Sequence, residues 1–343
     1  MKRILVVRTD RVGDVVTITP VLRALRNYFM GSFIGTLTNS NSVHVLTNNP
    51  NVDVMIEDDF SKGSFFNVVR EIRSYKFTDA LLMLPTERAA YQLFFAGIRN
   101  RIGVGRKLYE VITFMKSVSR GGYYPARHEA DYNMDLARKL GVKCDDLRRE
   151  IFLTEPELDE GERIVSNAGS TKDKFRIAFH IGNGGSAPNW SETKYLHLLK
   201  LILEKFNDRN ISILLTSREM SKEFLSEILT LNDDRVINIT NEFTDLRQLI
   251  KVYSTVNLAI GPSTGPMHIA DALCKPVIAI FCSRNIDSPA RWGMGNPEAV
   301  NIQVSDEHCK NCCSPDKEIC DIENGILPED VLKKVEDAIN RSK

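Results

Sequence analysis

Long apolar runs are missing from this sequence, and so is any surplus of charge. The first apolar run, Ile4–Val7, is only four residues long. A signal peptide needs a longer apolar region, so the run reads as a strand. No stretch approaches the roughly 18 apolar residues of a membrane-spanning helix. The protein is therefore expected to be made and kept in the cytoplasm and to meet any lipid-borne substrate from the aqueous side. Lys plus Arg and Asp plus Glu each number 45, so the basic excess typical of nucleic-acid binding is absent. Seven cysteines in 343 residues, an odd number, do not suggest a disulfide framework. Solenoid-length repeats and low-complexity tracts are lacking too. So is any D-x-D triplet; the pairs Asp58-Asp59, Asp145-Asp146 and Asp233-Asp234 read as solvated turns.

What is present is a double series of short apolar strands separated by amphipathic stretches. Arg3–Arg8, Phe33–Leu37, Val52–Glu57 and Asp79–Leu84 alternate with helical patterns such as Pro20–Phe29 and Ser64–Ser74. Thr19 before Pro20 looks like an N-cap with proline at the first helical position. Phe175–Ile181, Ile211–Thr216, Arg235–Ile239, Val256–Ile260 and Val277–Phe281 form the second series. Between them lie the helical patterns Ser191–Phe206, Met220–Leu229, Thr244–Ser254 and Pro266–Leu273. Near-continuous apolar strands between helices predict parallel sheets covered on both faces. The fold class is thus α/β with two Rossmann-like domains, 1–160 and 161–327, then a C-terminal helix, 328–343. The polar segment Thr154–Lys174, a helix plus linker, holds the boundary. Such halves place ligands at the carboxyl ends of their strands, in a crevice between the domains.

The loop after the first strand, Thr9-Asp10-Arg11-Val12-Gly13-Asp14, carries two carboxylates beside Arg8 and Arg11. It matches neither the G-x-G-x-x-G fingerprint nor the G-x-x-x-x-G-K-[ST] phosphate loop. Asp14 stands where a helix begins, so it reads either as a cap or as a general base for an attacking hydroxyl. Asp10 suits the same role, or the orientation of an acceptor or an arginine. In the second half, His180–Ser186 runs from a strand into Gly182, Gly184 and Gly185, where successive amides can face an anion. Trp190, just beyond, either covers a ligand or joins the core. Gly261–His268 opens a helix, with Thr264 as its N-cap. Hydroxyls, open amides and a positive helix end make this a candidate diphosphate site, to which His268 could add a donor.

Together, Arg8–Asp14, Gly184–Trp190, Ser263–His268, Ala290-Arg291-Trp292-Gly293 and the cysteine-bearing tail ending Leu327-Pro328-Glu329-Asp330-Val331 resemble glycosyltransferase family nine, the heptosyltransferases, over nearly the whole chain. The resemblance implies a GT-B fold whose parallel sheets face a central cleft. It also implies inverting, metal-independent transfer, an ADP-heptose donor and a lipopolysaccharide inner-core acceptor at the cytoplasmic face of the inner membrane. Asp14 matches the family's catalytic base, and Ser263, Thr264, Gly265 and His268 its donor-phosphate loop. Gly184, Gly185 and Ser186 fall where amides and hydroxyls meet the diphosphate, and Glu219 matches a carboxylate that holds the ribose. Acceptor contacts are expected from Asp10, Arg11 and Arg101. Two positions depart from the pattern: Pro188 replaces a lysine found in many members, and Ser263 an aspartate found in some. Alternatives on the same scaffold are another nucleotide sugar, a protein acceptor, a sugar-nucleotide epimerase or a non-catalytic binding module.

Two further clusters stand out. Cys309-x-x-Cys312-Cys313 with Cys320, preceded by His308, has spacing compatible with structural zinc; free thiols or a bridge are the alternative. Cys144, Cys274 and Cys282 read as buried small apolar residues. The basic run Arg99, Arg101, Arg106 and Lys107 would suit an anionic acceptor or a solvated surface. Arg127-His128-Glu129 opens an amphipathic helix that could also face the cleft.

Overall fold

A computed structural model describes residues 1–61, 63–105, 107–121, 125–313 and 320–341 of the chain. Two compact units emerge, Met1–Phe152 and Leu153–Lys343. The first holds β1 (Arg3–Val7), β2 (Phe33–Asn39), β3 (Val54–Asp58), β4 (Asp79–Leu82), β5 (Asn100–Val104) and β6 (Lys116–Val118). The second holds β7 (Phe175–Phe179), β8 (Ile211–Leu215), β9 (Val236–Asn238), β10 (Leu258–Pro262), β11 (Val277–Phe281) and β12 (Val300–Gln303). Their orders are β3-β2-β1-β4-β5-β6 and β12-β11-β10-β7-β8-β9, parallel throughout.

Numbered from its own first strand, each sheet has the doubly wound order 3-2-1-4-5-6. The chain starts at the centre, winds to one edge, then returns beside its first strand and winds to the other. The register Val7↔Leu82 joins β1 to β4, and Ile260↔Phe179 joins β10 to β7. Connections leave these neighbouring strands in opposite directions, opening a crevice at their carboxyl ends where ligands bind in such sheets. The loops singled out in the sequence, after β1, β7 and β10, all lie at these switch points.

Ile4–Val7 of β1 and Ile211–Leu215 of β8 are buried throughout and apolar except for Ser212, and each such Leu, Ile or Val contributes about 1.5–3 kcal/mol. β5, β6 and β12 go beyond the sequence expectation. β6 and β12 are short, partly exposed edge strands, so they lack a continuous apolar run. β5 opens on Asn100-Arg101 and contains Gly103.

Thr154–Lys174 contains the helix Glu155–Asn167, started by a Thr154–Glu157 capping box. This helix packs on the helix Leu246–Ser254. Arg247 donates to both Glu157 oxygens at 2.7 and 2.8 Å, and Lys251 meets Glu160 at 2.9 Å. A Cβ on Gly161 would lie 2.3 Å from the Lys251 carbonyl oxygen, so the close approach requires glycine. These contacts hold the whole helix in the second unit, and the division falls at 152/153 rather than 160/161. The final helix, Pro328–Arg341, packs Val331, Val335 and Ile339 into that unit's core. The N-cap before Pro20 is Ile18, not Thr19, whose hydroxyl instead donates to the Val16 carbonyl at 2.9 Å.

Candidate active site

The carboxyl end of β1 delivers Arg8 into a buried charge cluster. Arg8 is 3% exposed. Its Nε donates to Asp10 at 2.8 Å, its Nη1 to Glu129 at 2.9 Å and to Asn133 at 3.2 Å, and its Nη2 to Asp14. Glu129, wholly buried on the first turn of the helix Glu129–Arg138, also receives Arg120 at 2.9 Å. Arg120 in turn donates to the Met83 carbonyl after β4 at 3.1 Å, so groups from both sides of the β1/β4 switch point converge. Asn39, the last residue of β2, and Ser42 just beyond it donate to the Asp10 carbonyl and set the loop.

Asp14 is the third residue of the short helix Val12–Val16, whose N-cap is Arg11. Its carboxylate turns to Arg8, so the simple cap does not describe it. Thr17 donates to the Asp14 carbonyl at 2.6 Å and receives Asn133 at 2.9 Å. Two guanidinium groups, Arg8 and Arg120, here meet three carboxylates, Asp10, Asp14 and Glu129. Burial pushes the Asp14 pKa up; Arg8 opposes this, Asp10 and Glu129 reinforce it, and the result is about 6. Burial lowers the Arg8 pKa, but Asp14, Asp10 and Glu129 outweigh it and hold the guanidinium charged. A carboxylate with this pKa is ionised at neutrality and can still take up a proton. Arg11 is exposed beside it.

The second unit meets its switch point with little charge. After β7, Gly184 and Gly185 adopt φ of 55° and 65°, in the left-handed region that favours glycine. The Gly184 amide donates to Glu219 Oε2 at 3.0 Å, and that of Gly185 to Asn183 Oδ1 at 2.9 Å. A Cβ on Gly182 would lie 2.4 Å from Ser217 Oγ and 2.8 Å from Glu219 Oε2. Glycine is thus what lets the loops after β7 and β8 touch. His180 pairs with Thr216 at 3.0 Å; burial brings its pKa down to about 4 against the pull of Glu219, so the ring is neutral. Ser186 is exposed at the far end of the loop.

After β10, Thr264 is the N-cap of the helix Gly265–Ala272 by position, yet its hydroxyl makes no capping bond. Thr264 is 6% exposed, and its Oγ1 is buried without a hydrogen-bond partner among the described residues. Ser217 Oγ, after β8, is in the same state. Ser263 donates its amide to the Ile280 carbonyl at 3.0 Å. His268, on the first turn, is buried with its ring edge-on to Trp292 at 6.1 Å. Trp190 is core, its indole donating to the Ile322 carbonyl at 3.1 Å.

Arg101 is not brought to the cluster. It is 7% exposed, its guanidinium donates to the Ile98 and Thr113 carbonyls, and it lies over the Phe94 ring. Burial lowers its pKa. Arg99 and Lys107 are exposed, and Arg106 lies outside the described residues. His128 caps its helix through Nδ1 and meets Arg149 through Nε2. All seven cysteines are free. Among the described residues the metal-capable set converging within 4.8 Å is His308, Cys312 and Asp321, not the four cysteines of the zinc expectation. Cys320 is instead a neighbour of Cys282 and Cys313, whose thiols, with burial, raise its pKa, while the Asp321 amide donates to Cys313 Sγ at 3.4 Å. Of the three cysteines expected to be buried, only Cys282 is; Cys274 is exposed on a turn at φ 57° and Cys144 half-buried.

Sequence reading missed Arg120, Asn133, Asn39 and Ser217. Asn39 ends its strand and Ser217 follows within two residues of one. A polar residue at a strand's carboxyl end was the available signal. Asn133 and Arg120 carried none, because only the tertiary fold brings them to β1.

The model for glycosyltransferase family 9 (heptosyltransferase) matches residues 65–321. A Haemophilus influenzae protein, named only provisionally as a glycosyltransferase, is 25% identical over 300 residues, covering 85% of this chain and 86% of its own. The structure of a family 9 glycosyl transferase from Veillonella parvula superposes with a TM-score of 0.83 at 23% identity, covering 99% of this chain and 98% of the other. The ADP-heptose lipopolysaccharide heptosyltransferase II of Escherichia coli gives 0.77 at 18% identity, covering 100% and 99%. Two doubly wound sheets with a whole-chain likeness to these enzymes make the fold GT-B. The chain is a glycosyltransferase and belongs to glycosyltransferase family 9.

Proposed function

We propose that the protein transfers heptose from ADP-heptose to an inner-core sugar of lipopolysaccharide, with inversion and without a metal. The observation that carries this reading is the buried Asp14 carboxylate, held against Arg8 at the β1/β4 switch point with its pKa raised to about 6. In the reaction Asp14 takes the proton from the acceptor hydroxyl as its oxygen attacks the anomeric carbon. The new C–O bond forms on the face opposite the leaving group, and the bond to the diphosphate breaks. ADP departs with the electron pair. Asp10 and Arg11 orient the acceptor in this reading; the burial of Arg101 argues for a structural part instead.

The donor falls to the second unit. The Ser186 and Thr264 hydroxyls, Ser263, Gly265 and the positive end of the helix Gly265–Ala272 receive the diphosphate, with His268 on the same helix turn, and the amides of Gly184 and Gly185 join them by exchanging Glu219 and Asn183 for phosphate oxygens. Preorganised donors of this kind act most strongly where charge develops during departure. Glu219 holds the ribose. Names of relatives support the assignment: a Campylobacter coli protein 22% identical over 294 residues is a lipopolysaccharide heptosyltransferase 1. Among the described residues no helix is long and apolar enough to cross a membrane. We place the enzyme in the cytoplasm, working at the inner membrane's inner face.

A second reading, transfer from a different nucleotide sugar, is favoured by Pro188, which leaves the loop after β7 without a cation. A thermal-shift panel of ADP-heptose, ADP, UDP- and GDP-sugars separates the two, because binding to the folded state raises its stability. ADP-heptose should give the largest shift and support transfer to a heptose-deficient core. A larger shift with a uridine or guanosine nucleotide, and no heptosyl product, would discard the first reading.

A further inference from the structure

Large apolar side chains are exposed very unevenly. Among the described residues, twelve that are at least about a third exposed lie in the first unit and four in the second. The first unit's set is also grouped. Helices Ser64–Ser74, Glu87–Phe95 and Leu108–Ile112 pack side by side and present Phe66, Phe95, Leu108, Val111, Ile112 and, just beyond, Phe114. Leu108 is 75% exposed and Phe114 79%. Ring contacts make the aromatic part continuous: Phe66 to Phe65 at 5.2 Å, Phe65 to Phe95 at 6.3 Å, and Phe95 to Phe94 at 5.6 Å. Arg101 lies over Phe94 and donates to the Thr113 carbonyl, bridging to Phe114.

These residues are held rather than loose. Arg88 donates to the buried Asp58 at 2.7 and 2.9 Å while lying over the Phe60 and Phe65 rings, and Gln92 donates to the same carboxylate at 2.7 Å. Arg73 donates to the Phe95 carbonyl, fastening one helix to the end of the next. Exposed acids lie on the first two helices, Glu71 and Glu87, whereas the third helix and its flanks are basic. Phe95–Gly121 carries six basic residues, at 99, 101, 106, 107, 116 and 120, against one acid, Glu110. Glu110 is buried and turned back onto the Lys107 amide at 3.0 Å, whereas Arg99, Lys107 and Lys116 are exposed.

We infer that this face of the first unit docks on an anionic phospholipid surface, with Phe66, Leu108 and Phe114 entering the headgroup boundary and Arg99, Lys107 and Lys116 meeting lipid phosphates. Exposed aromatic and aliphatic side chains rimmed by cations are the pattern of a protein that lies on a bilayer without crossing it. Patch and candidate site share an edge. Tyr109, between Leu108 and Val111, donates to the Pro85 carbonyl in the loop after β4, and Arg120 reaches Met83 in that same loop from the Glu129 cluster. A lipid-borne sugar acceptor would therefore reach Asp14 from the docked side. The inference rests on the proposed function only for the acceptor being lipid-linked.

Flotation of the full chain with vesicles containing no acceptor tests it. Wild-type protein should float with phosphatidylethanolamine–phosphatidylglycerol vesicles and stay behind with phosphatidylcholine alone. The triple variant Phe66→Ser, Leu108→Ser, Phe114→Ser, all at exposed positions, should lose at least about tenfold in partitioning while glycosylating a delipidated acceptor at the wild-type rate. Lys107→Ala with Lys116→Ala should lose about 25-fold, roughly fivefold for each cation at an anionic surface. Docking is overturned if wild-type protein never floats, or if the triple variant floats as well as wild type. It is equally overturned if wild-type protein sediments as a dimer that the triple variant dissociates, since a second copy then covers the patch. Flotation without heptosyl transfer would sink the proposed function alone; transfer without flotation would sink docking alone.

Discussion

The two units share a strand order but furnish their switch points in opposite ways. At the end of β1 the first unit gathers two arginines and three carboxylates, all held by ion pairs of side chains. At the ends of β7 and β10 the second unit offers backbone amides and hydroxyls: His180–Trp190 and Ser263–His268 contain no Lys, Arg, Asp or Glu. Glu219, from the loop after β8, is, among the described residues, the carboxylate that the geometry brings to the glycine loop. One fold therefore supplies the place, and the loops decide the chemistry. A general base needs buried counter-charge to position it and tune its proton affinity. A diphosphate, already anionic, is better met by donors that carry no fixed counter-carboxylate. Perturbing the first unit should therefore appear in rate and pH dependence, and perturbing the second in donor affinity.

The largest expected effect is on rate. Asp14→Asn should lower kcat by about 10²–10⁴-fold, the usual worth of a positioned general base, with calorimetric ADP affinity unchanged. Turnover within a few-fold of wild type would end the division of labour between the units. The pH profile sharpens the same point. Asp14 has its pKa raised to about 6, so the carboxylate is increasingly protonated, and inactive as a base, as pH falls through that value. kcat/KM should be level above about pH 7 and fall about tenfold per unit well below pH 6, whereas ADP affinity should not follow that curve.

Next in size is a stability effect confined to the first unit. Arg8→Met removes the cation that Asp10, Asp14 and Glu129 share and leaves buried carboxylates uncompensated. Breaking such a pair costs about 3–5 kcal/mol, visible as a large drop in the thermal midpoint of the first unit's unfolding. Losing Arg8 also removes the attraction that lowers the Asp14 pKa, so any residual activity should show its acid limb displaced to higher pH. An unchanged midpoint would mean that the ion pairs contribute far less than their burial requires.

Much of this arrangement was legible in the sequence, for definite reasons. The helix Ser64–Ser74 has the same ends in sequence and structure, because an amphipathic period defines it. Asp14 and Thr264 stood out because a polar residue just after an apolar parallel strand has few places to go except the switch point. What sequence could not show was partnership. Glu129 lies 121 residues from Arg8, and a glutamate in the first turn of a helix ordinarily answers the helix dipole. Arg101 looked like part of a basic surface because it neighbours Arg99, but it lies on β5 between β4 and β6, where the sheet and its covering helix enclose it. Cys282 shows the same limit: its contact with Cys320 depends on where the ends of β11 and of the tail come together.

The smallest predicted effect bears most directly on the second unit. Thr264→Val keeps the side-chain shape but removes a hydroxyl that is buried without a hydrogen-bond partner among the described residues. An unpaired buried hydroxyl costs about 1–3 kcal/mol, so the valine variant without ligand should be as stable as wild type or slightly more so. If the hydroxyl is reserved for the donor diphosphate, ADP affinity should fall by about tenfold, the worth of one hydrogen bond to a charged group, with kcat at saturating donor little altered. Both measurements use one protein preparation, by thermal unfolding with and without ADP. A variant that loses stability without ligand and keeps its ADP affinity would show that Thr264 serves the fold. The second unit's half of the comparison would then rest on the glycine loop and Glu219 alone.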